Sequence, residues 1–371
     1  MSAVARRVLA ALVALPLLVL ALGACGYGSQ KDTTRSAAPD GSGGGGGGKR
    51  LSADTVRIGY FPNITHATAL VGDHEGFFRK ELGGTRLRVT AFNAGPSEIE
   101  ALNAGSIDIG WIGPSPAVNG FTKSGGKNLR IVSGSASGGV RLVVDPRKVG
   151  SLDDVKGKRI ATPQKGNTQD VAFLNWLSGK GWKVDPQSGK GDVSVVRTDN
   201  KVTPDAFRSG SVDGAWVPEP TASQLVALGG KVLLDEADLW PDKKFVITNV
   251  VVSQKFLERH PDVVEAVLRG SVRANAWIKE HPEQAEAAAN AALRSLTGKA
   301  LPPEVLAPAW RSIQVTDDPL AATLDAEADH AVRAGLLDKP DLSGIYDLRP
   351  LNKVRAAAGL PPVDAARLGE Q

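Results

Sequence analysis

One stretch of this chain is written twice. Residues 101–112 read ALNAGSIDIGWI and residues 206–217 read AFRSGSVDGAWV; they align at one offset without a gap and share Gly-Ser-aliphatic-Asp and a tryptophan. Around the first copy, residues 87–92 (LRVTAF) alternate as a strand does, and Asn93-Ala94-Gly95-Pro96 breaks them. Pro96 suits the first turn of a helix, and Glu98 and Glu100 favour its positive start, with their carboxylates expected in solvent. Gly105 ends that helix, residues 107–112 read as a buried strand, and Gly113-Pro114-Ser115-Pro116 opens the next helix. Such βαβ units place their loops at the carboxyl ends of strands, where exposed helix N–H groups attract anions. Chance likeness of two ordinary buried units is the bland alternative, and the shared motif at one offset weighs against it.

The flanks repeat as well. Residues 56–60 (VRIGY) form a first strand with the exit loop Phe61-Pro62-Asn63-Ile64-Thr65, and Thr65 suits the cap of a helix from His66. Residues 159–163 (RIATP) are again a strand with a proline exit, and residues 164–170 lead into a helix over 171–178. Between them lie a strand at 129–135, a tight turn at Ser137-Gly138-Gly139 and a strand at 140–144. Two such units imply an α/β protein of two lobes facing a cleft. The apolar strand 245–253 (FVITNVVVS) reads as the chain returning to the first lobe, which makes two interlobe crossings and a hinge. Helices over 263–278, 282–296, 303–312 and 320–337 follow, with spacing that speaks of packing. The expected division is 55–150 for lobe 1, 151–240 for lobe 2, and 241–371 back in lobe 1.

The amino terminus reads as an address. Arg6-Arg7, an apolar run over 8–22 and small residues before Cys25 make residues 1–24 a signal peptide, too short for a comfortable membrane span. Leu22-Gly23-Ala24-Cys25 resembles a bacterial lipobox, so Cys25 is the expected lipidation site and the outer face of the cytoplasmic membrane the expected location. An uncleaved anchor with an incidental cysteine is the alternative. Residues 25–54, with consecutive glycines from Gly43 to Gly48, read as a flexible tether, and the folded chain is expected to begin near Thr55.

Composition removes several functions. The 371 residues carry a net charge of +4 with cations scattered among acids, which gives no nucleic-acid stripe. One cysteine allows no intramolecular disulfide and no cysteine zinc site, and the five histidines show no metal spacing. GxSxG, HExxH and P-loop motifs are absent, so no enzyme, metal or cofactor is expected. The loops expected at the cleft carry Asn63, Thr65, His66, Asn93, Ser97, Ser115, Ser137, Asn167, Thr168, Gln169 and Asn249, joined by glycines such as Gly95, Gly113 and Gly138. Amides and hydroxyls of this kind suit a small oxyanion held without a counter-charge, although each alone is a common turn former. His66 reads as a helix-start hydrogen bonder rather than a base. Glu219, between prolines, either pairs with an amine on the ligand or caps a helix start across the hinge. Trp111 and Trp216 are candidate cleft walls, with core packing the stronger reading for Trp111.

Taken together, IGYFPNITHATALVG (58–72), FNAGPSEIEALNAGSIDIGWIGPSP (92–116), IATPQKGNTQDVAFL (160–174), DGAWVPEP (213–220) and GGKVLLDEADLWP (229–241) resemble substrate-binding lipoproteins of ABC importers in the nitrate/taurine/aliphatic-sulfonate family. The resemblance implies a type II periplasmic-binding fold of two lobes that closes on a solute and passes it to a permease and its ATPase. It further implies a monomer holding a small sulfonate-type anion on helix N-termini of both lobes. Carried onto this chain, it points to Asn63, His66, Asn93 to Ser97, Gly113 to Ser115, Gly138, Asn167 to Gln169 and Glu219. The alternative within the same fold is a binder of thiamine-precursor pyrimidines or a synthase-like enzyme. Aromatic stacking of that kind fits poorly with 5% aromatic residues.

Overall fold

Each copy of the repeated stretch builds the same clamp. In the first, Asp108 accepts from the Arg57 backbone N–H at 2.9 Å and from its guanidinium at 3.0 and 2.7 Å. In the second, Asp213 takes the same bonds from Arg159 at 3.0, 3.2 and 2.8 Å. Gly105 and Gly210 both turn with positive φ, 68° and 72°, which explains the glycine ahead of each Ser-aliphatic-Asp. The aspartate therefore fixes the start of one strand against the start of its parallel neighbour.

The computed structural model describes Ser29–Lys31 and residues 50–369. The signal peptide, Cys25 and most of the tether lie outside the described residues. The strands are β1 (Ser29–Lys31), β2 (Thr55–Tyr60), β3 (Arg86–Ala91), β4 (Ile109–Ile112), β5 (Leu129–Gly138), β6 (Val140–Val144), β7 (Arg159–Thr162), β8 (Ser194–Arg197), β9 (Gly214–Pro218), β10 (Lys231–Asp235), β11 (Val246–Ser253) and β12 (Ile313–Val315). They form two sheets, ordered β1-β3-β2-β4-β11-β5-β12 and β10-β6-β9-β7-β8. In the first, β2 runs parallel to β3 and β4; in the second, β7 runs parallel to β8 and β9. Helices cover both sheets, and the two tryptophans of the repeat are buried in equivalent places. Trp111 packs 5.3 Å from Phe78, and Trp216 packs 5.4 Å from Phe173.

The two crossings are present, but the first falls earlier than the boundary at 150. Residues 137–139 make no hairpin: β5 runs through Gly138 and the chain enters the second sheet as β6. Gly139 allows this with φ 74°, where a Cβ would lie 2.6 Å from Ile313 Cγ2. The return runs from β10 to β11, whose antiparallel pairing with both β4 and β5 fills the middle of the first sheet.

Two further expectations need correction. Ser29–Lys31, assigned to the tether, pairs antiparallel with β3 and so occupies an edge that would otherwise leave backbone groups open. The carboxy-terminal region does not belong to the first lobe alone. The helix Ala321–Arg333 packs on Pro114–Lys123 and also on Thr168–Gly179 of the second lobe. Ala334 and Leu336 join the second lobe's apolar core, and Arg333 Nε donates to Asn175 Oδ1 at 2.9 Å. Apolar side chains left uncovered on the second lobe account for this bridge.

Candidate functional site

Three helices begin at the seam between the lobes: Gly95–Asn103, Pro114–Lys123 and Thr168–Gly179. Proline in the first turn starts two of them, and none has its cap residue's side chain bonded to its own N–H groups. Asn167, the cap of the third, turns instead across the seam, where its Oδ1 accepts from Gly95 N–H at 3.1 Å. Gly113 meets the same helix: a Cβ placed on it would collide with Thr168 Oγ1. The glycines at 95 and 113 are therefore where the lobes touch backbone to side chain.

Around that contact the polar groups are unusually short of partners. Ser115 Oγ, Thr168 Oγ1 and both amide atoms of Asn249 are buried without a hydrogen bond. Asn249 stands opposite Ile112 on β4, one residue before Gly113, and its neighbour Thr248 donates to the Thr65 carbonyl at 2.9 Å. A buried polar atom left unpaired costs about 1–3 kcal/mol. Several of them on facing lobes amount to a built-in demand for something polar between.

His66 is buried and stacks on Phe61 with ring centroids 4.5 Å apart. Its Nδ1 accepts from Phe61 N–H at 3.3 Å, which leaves Nε2 to carry the proton. Burial pushes its pKa down to about 3, so at neutral pH it offers a neutral donor and no positive charge. Ser97 Oγ donates to its own turn at Ala94, 2.8 Å away. Asn63 and Asn93 line a cavity of about 620 Å³ on one flank of the seam, with Asn200 and Thr221 from the second lobe. Ser115 lines another of about 670 Å³ on the other flank, with Lys165 and Gly166 opposite. Gln169 is buried in the first turn of its helix.

The structure thus gathers Asn63, His66, Asn93, Gly95, Ser97, Gly113, Ser115, Asn167, Thr168, Gln169 and Asn249 about one seam. Three other candidates are placed differently. Gly138 pairs with Ile313 at the crossing, where a Cβ would lie 2.8 Å from the Ser312 carbonyl. Trp216 is a core residue whose Nε1 donates to Glu236 at 2.7 Å, so it is no cleft wall. Both Glu219 oxygens are occupied inside the second lobe, by Arg141 Nη1 at 2.9 Å and by Ser223 N–H at 3.0 Å. Glu219 caps the helix Thr221–Ala227 within its own lobe and meets no opposite helix.

Glu98 departs furthest from its expected place in solvent. Far from solvent, it is 1% exposed, and neither carboxylate oxygen has a partner. Burial raises its pKa well above the ordinary carboxylate range. It lies over Gly59 and Gly110, where added Cβ atoms would sit 2.9 and 2.5 Å from Oε1. Glycines on two adjacent strands leave room for a side chain lying across them, and only the sheet brings Gly59 opposite Gly110. Among the described residues no group of three or more His, Cys, Asp or Glu is arranged to hold a metal.

The molecule is similar to known proteins in sequence and in fold. The taurine-binding periplasmic protein of Escherichia coli (strain K12) is 28% identical over 220 residues, which are 57% of this chain and 66% of that one. The alkanesulfonate-binding protein SsuA from Xanthomonas axonopodis pv. citri, solved bound to MOPS, superposes with a TM-score of 0.63 at 24% identity, over 77% of this chain and 95% of that one. The periplasmic nitrate-binding protein NrtA from Synechocystis PCC 6803 gives a TM-score of 0.67 at 15% identity, over 84% and 91% of the two chains. These superpositions show the two-lobed periplasmic-binding fold. The NMT1-like family model matches residues 50–293, which take in β2 to β11 and all three helix starts at the seam, and the chain belongs to the NMT1-like family.

Proposed function

We propose that the protein is the exported solute-binding component of an ABC importer, closing its lobes on a small organic anion of the aliphatic-sulfonate or taurine kind. The observation that carries this reading is the set of unpartnered Ser115 Oγ, Thr168 Oγ1 and Asn249 amide atoms among three uncapped helix starts. Partial positive charge at those helix ends favours an oxyanion, hydroxyls and an amide supply directed hydrogen bonds, and neutral His66 adds a donor. A solute held by dipoles and hydrogen bonds can be released again, as delivery to a permease requires. The relatives named for taurine and alkanesulfonates support the choice of anion. The solute leaves unchanged, since the seam offers no nucleophile paired with a base. A lipid on Cys25 would hold the body at the outer face of the cytoplasmic membrane as a monomer beside its permease and ATPase.

Isothermal calorimetry with taurine, short alkanesulfonates, nitrate and sulfate tests the reading. Saturable binding of a sulfonate in the micromolar range or tighter is expected. Absence of heat with every one of these anions would sink it.

A further inference from the structure

The second lobe has another concavity, remote in chemistry from the seam. It has a volume of about 510 Å³, and its lining includes Trp176, Trp216, Glu236, Trp240, His330 and Arg333. Four pieces of chain supply its walls: the helix Thr168–Gly179, β9, the start of the return crossing, and the bridging helix Ala321–Arg333. Apart from Trp216, no residue expected to hold the solute belongs to it.

Its aromatic groups are held in a particular way. Trp176 and Trp216 lie with ring centroids 5.9 Å apart, and Trp240 and His330 lie 5.1 Å apart. The buried Glu236 carboxylate takes the indole N–H of Trp216 at 2.7 Å, and Trp240 is stacked on Phe245 with ring centroids 5.5 Å apart. The Trp216 indole is fixed through its N–H edge and Trp240 by its ring contacts, and apolar ring surface is what they offer an occupant.

Charge at the mouth has the opposite sign. Lys180 Nζ stands 5.6 Å over the Trp176 ring and among the described residues pairs with Asp153, an exposed carboxylate 3.3 Å away. Arg333 is bonded through Nε to Asn175 and has no carboxylate partner among the described residues. Burial and the nearby Arg333 charge push the His330 pKa down to about 4, so its ring is neutral. The one acid lining the cavity, Glu236, is turned inward to the Trp216 indole.

We propose that this cavity is a second ligand site, separate from the seam, that takes a planar aromatic acid. The ring lies against Trp176 and Trp240, and the acid group meets Arg333 and Lys180. Guanidinium and carboxylate match in geometry, and a cavity of this size accommodates a molecule of one or two rings.

Calorimetry of the purified protein with 2-naphthoate is the test, with cyclohexanecarboxylate and 2-naphthylmethylamine as controls. Saturable binding of 2-naphthoate is expected, weaker by about tenfold or more for each control. Arg333→Glu, a change at an exposed residue, and Trp240→Leu should each weaken it by a similar factor, with melting curves confirming the fold. A Gly113→Val protein, whose seam is obstructed, should still bind 2-naphthoate. The proposal is overturned by silence at millimolar 2-naphthoate, by equal affinity for the amine, or by indifference to Arg333→Glu. Should Trp240→Leu unfold the protein, the Arg333→Glu result decides alone. Binding that vanishes in Gly113→Val but survives Arg333→Glu would place the aromatic acid in the seam and overturn it as well.

Discussion

At the scale of single residues, the proposed site would trade stability for recognition. Asn249 is 0% exposed, and neither end of its amide is bonded. Replacing a stranded polar group with an apolar one of similar size relieves desolvation, so Asn249→Leu should stabilise the solute-free protein by about 1–2 kcal/mol. The same change should weaken solute binding by about tenfold or more. Urea unfolding and calorimetry on one sample measure both; a loss of stability together with unchanged affinity would remove Asn249 from the site. Gly113→Val tests closure differently, since its side chain collides with Thr168 Oγ1 only when the lobes meet. It should cut affinity by about tenfold or more while the melting temperature stays close to that of the parent. Most of these residues could be read from the sequence because loops at the ends of repeated strands must converge. Glu98 could not, because its position in a first turn looks solvated until Gly59 and Gly110 are seen facing it.

At the scale of elements, the repeated Gly-Ser-aliphatic-Asp is a structural device rather than a site. Burial by itself would raise the pKa of Asp213; hydrogen bonds from Arg159 and Lys148 outweigh burial and hold it well below the ordinary carboxylate range. A depressed folded-state pKa means stability that is present above the unfolded value, near 4, and lost as pH falls through the folded one. Asp213→Ala should therefore cost about 1–2 kcal/mol at pH 7, toward the lower end because Arg159 is half exposed. The gap between parent and variant should narrow below about pH 4. Urea titrations at pH 7 and pH 3 decide it, and a gap that widens in acid would refute the clamp. Glu219 teaches a related lesson: flanking prolines marked it as special, yet only the neighbouring Arg141 on β6 shows that its charge is already spent.

At the scale of the whole molecule, the lobes are joined by more than the two crossings. The helix Ala321–Arg333 spans both, and Pro303–Arg311 packs against Thr221–Ala227 on the far side. These contacts coexist with the touching lobes, so opening the seam to admit a solute must slide or release them. X-ray scattering should show the radius of gyration falling when saturating solute is added. A profile identical with and without solute would mean that the seam does not open.

The amino-acid sequence by itself determined that this chain makes two related α/β units, because the period of its apolar residues and its glycine stops repeat at a fixed offset. It also determined which loops would come together, since parallel βαβ connections put every strand exit on one edge. Only the tertiary structure decided where the chain changes lobe, which acids are solvated, and that the last long helix ties both lobes together. Those outcomes depend on which side chains lie opposite one another across a sheet or a seam. Contacts between residues far apart along the chain set that, and no local pattern records them.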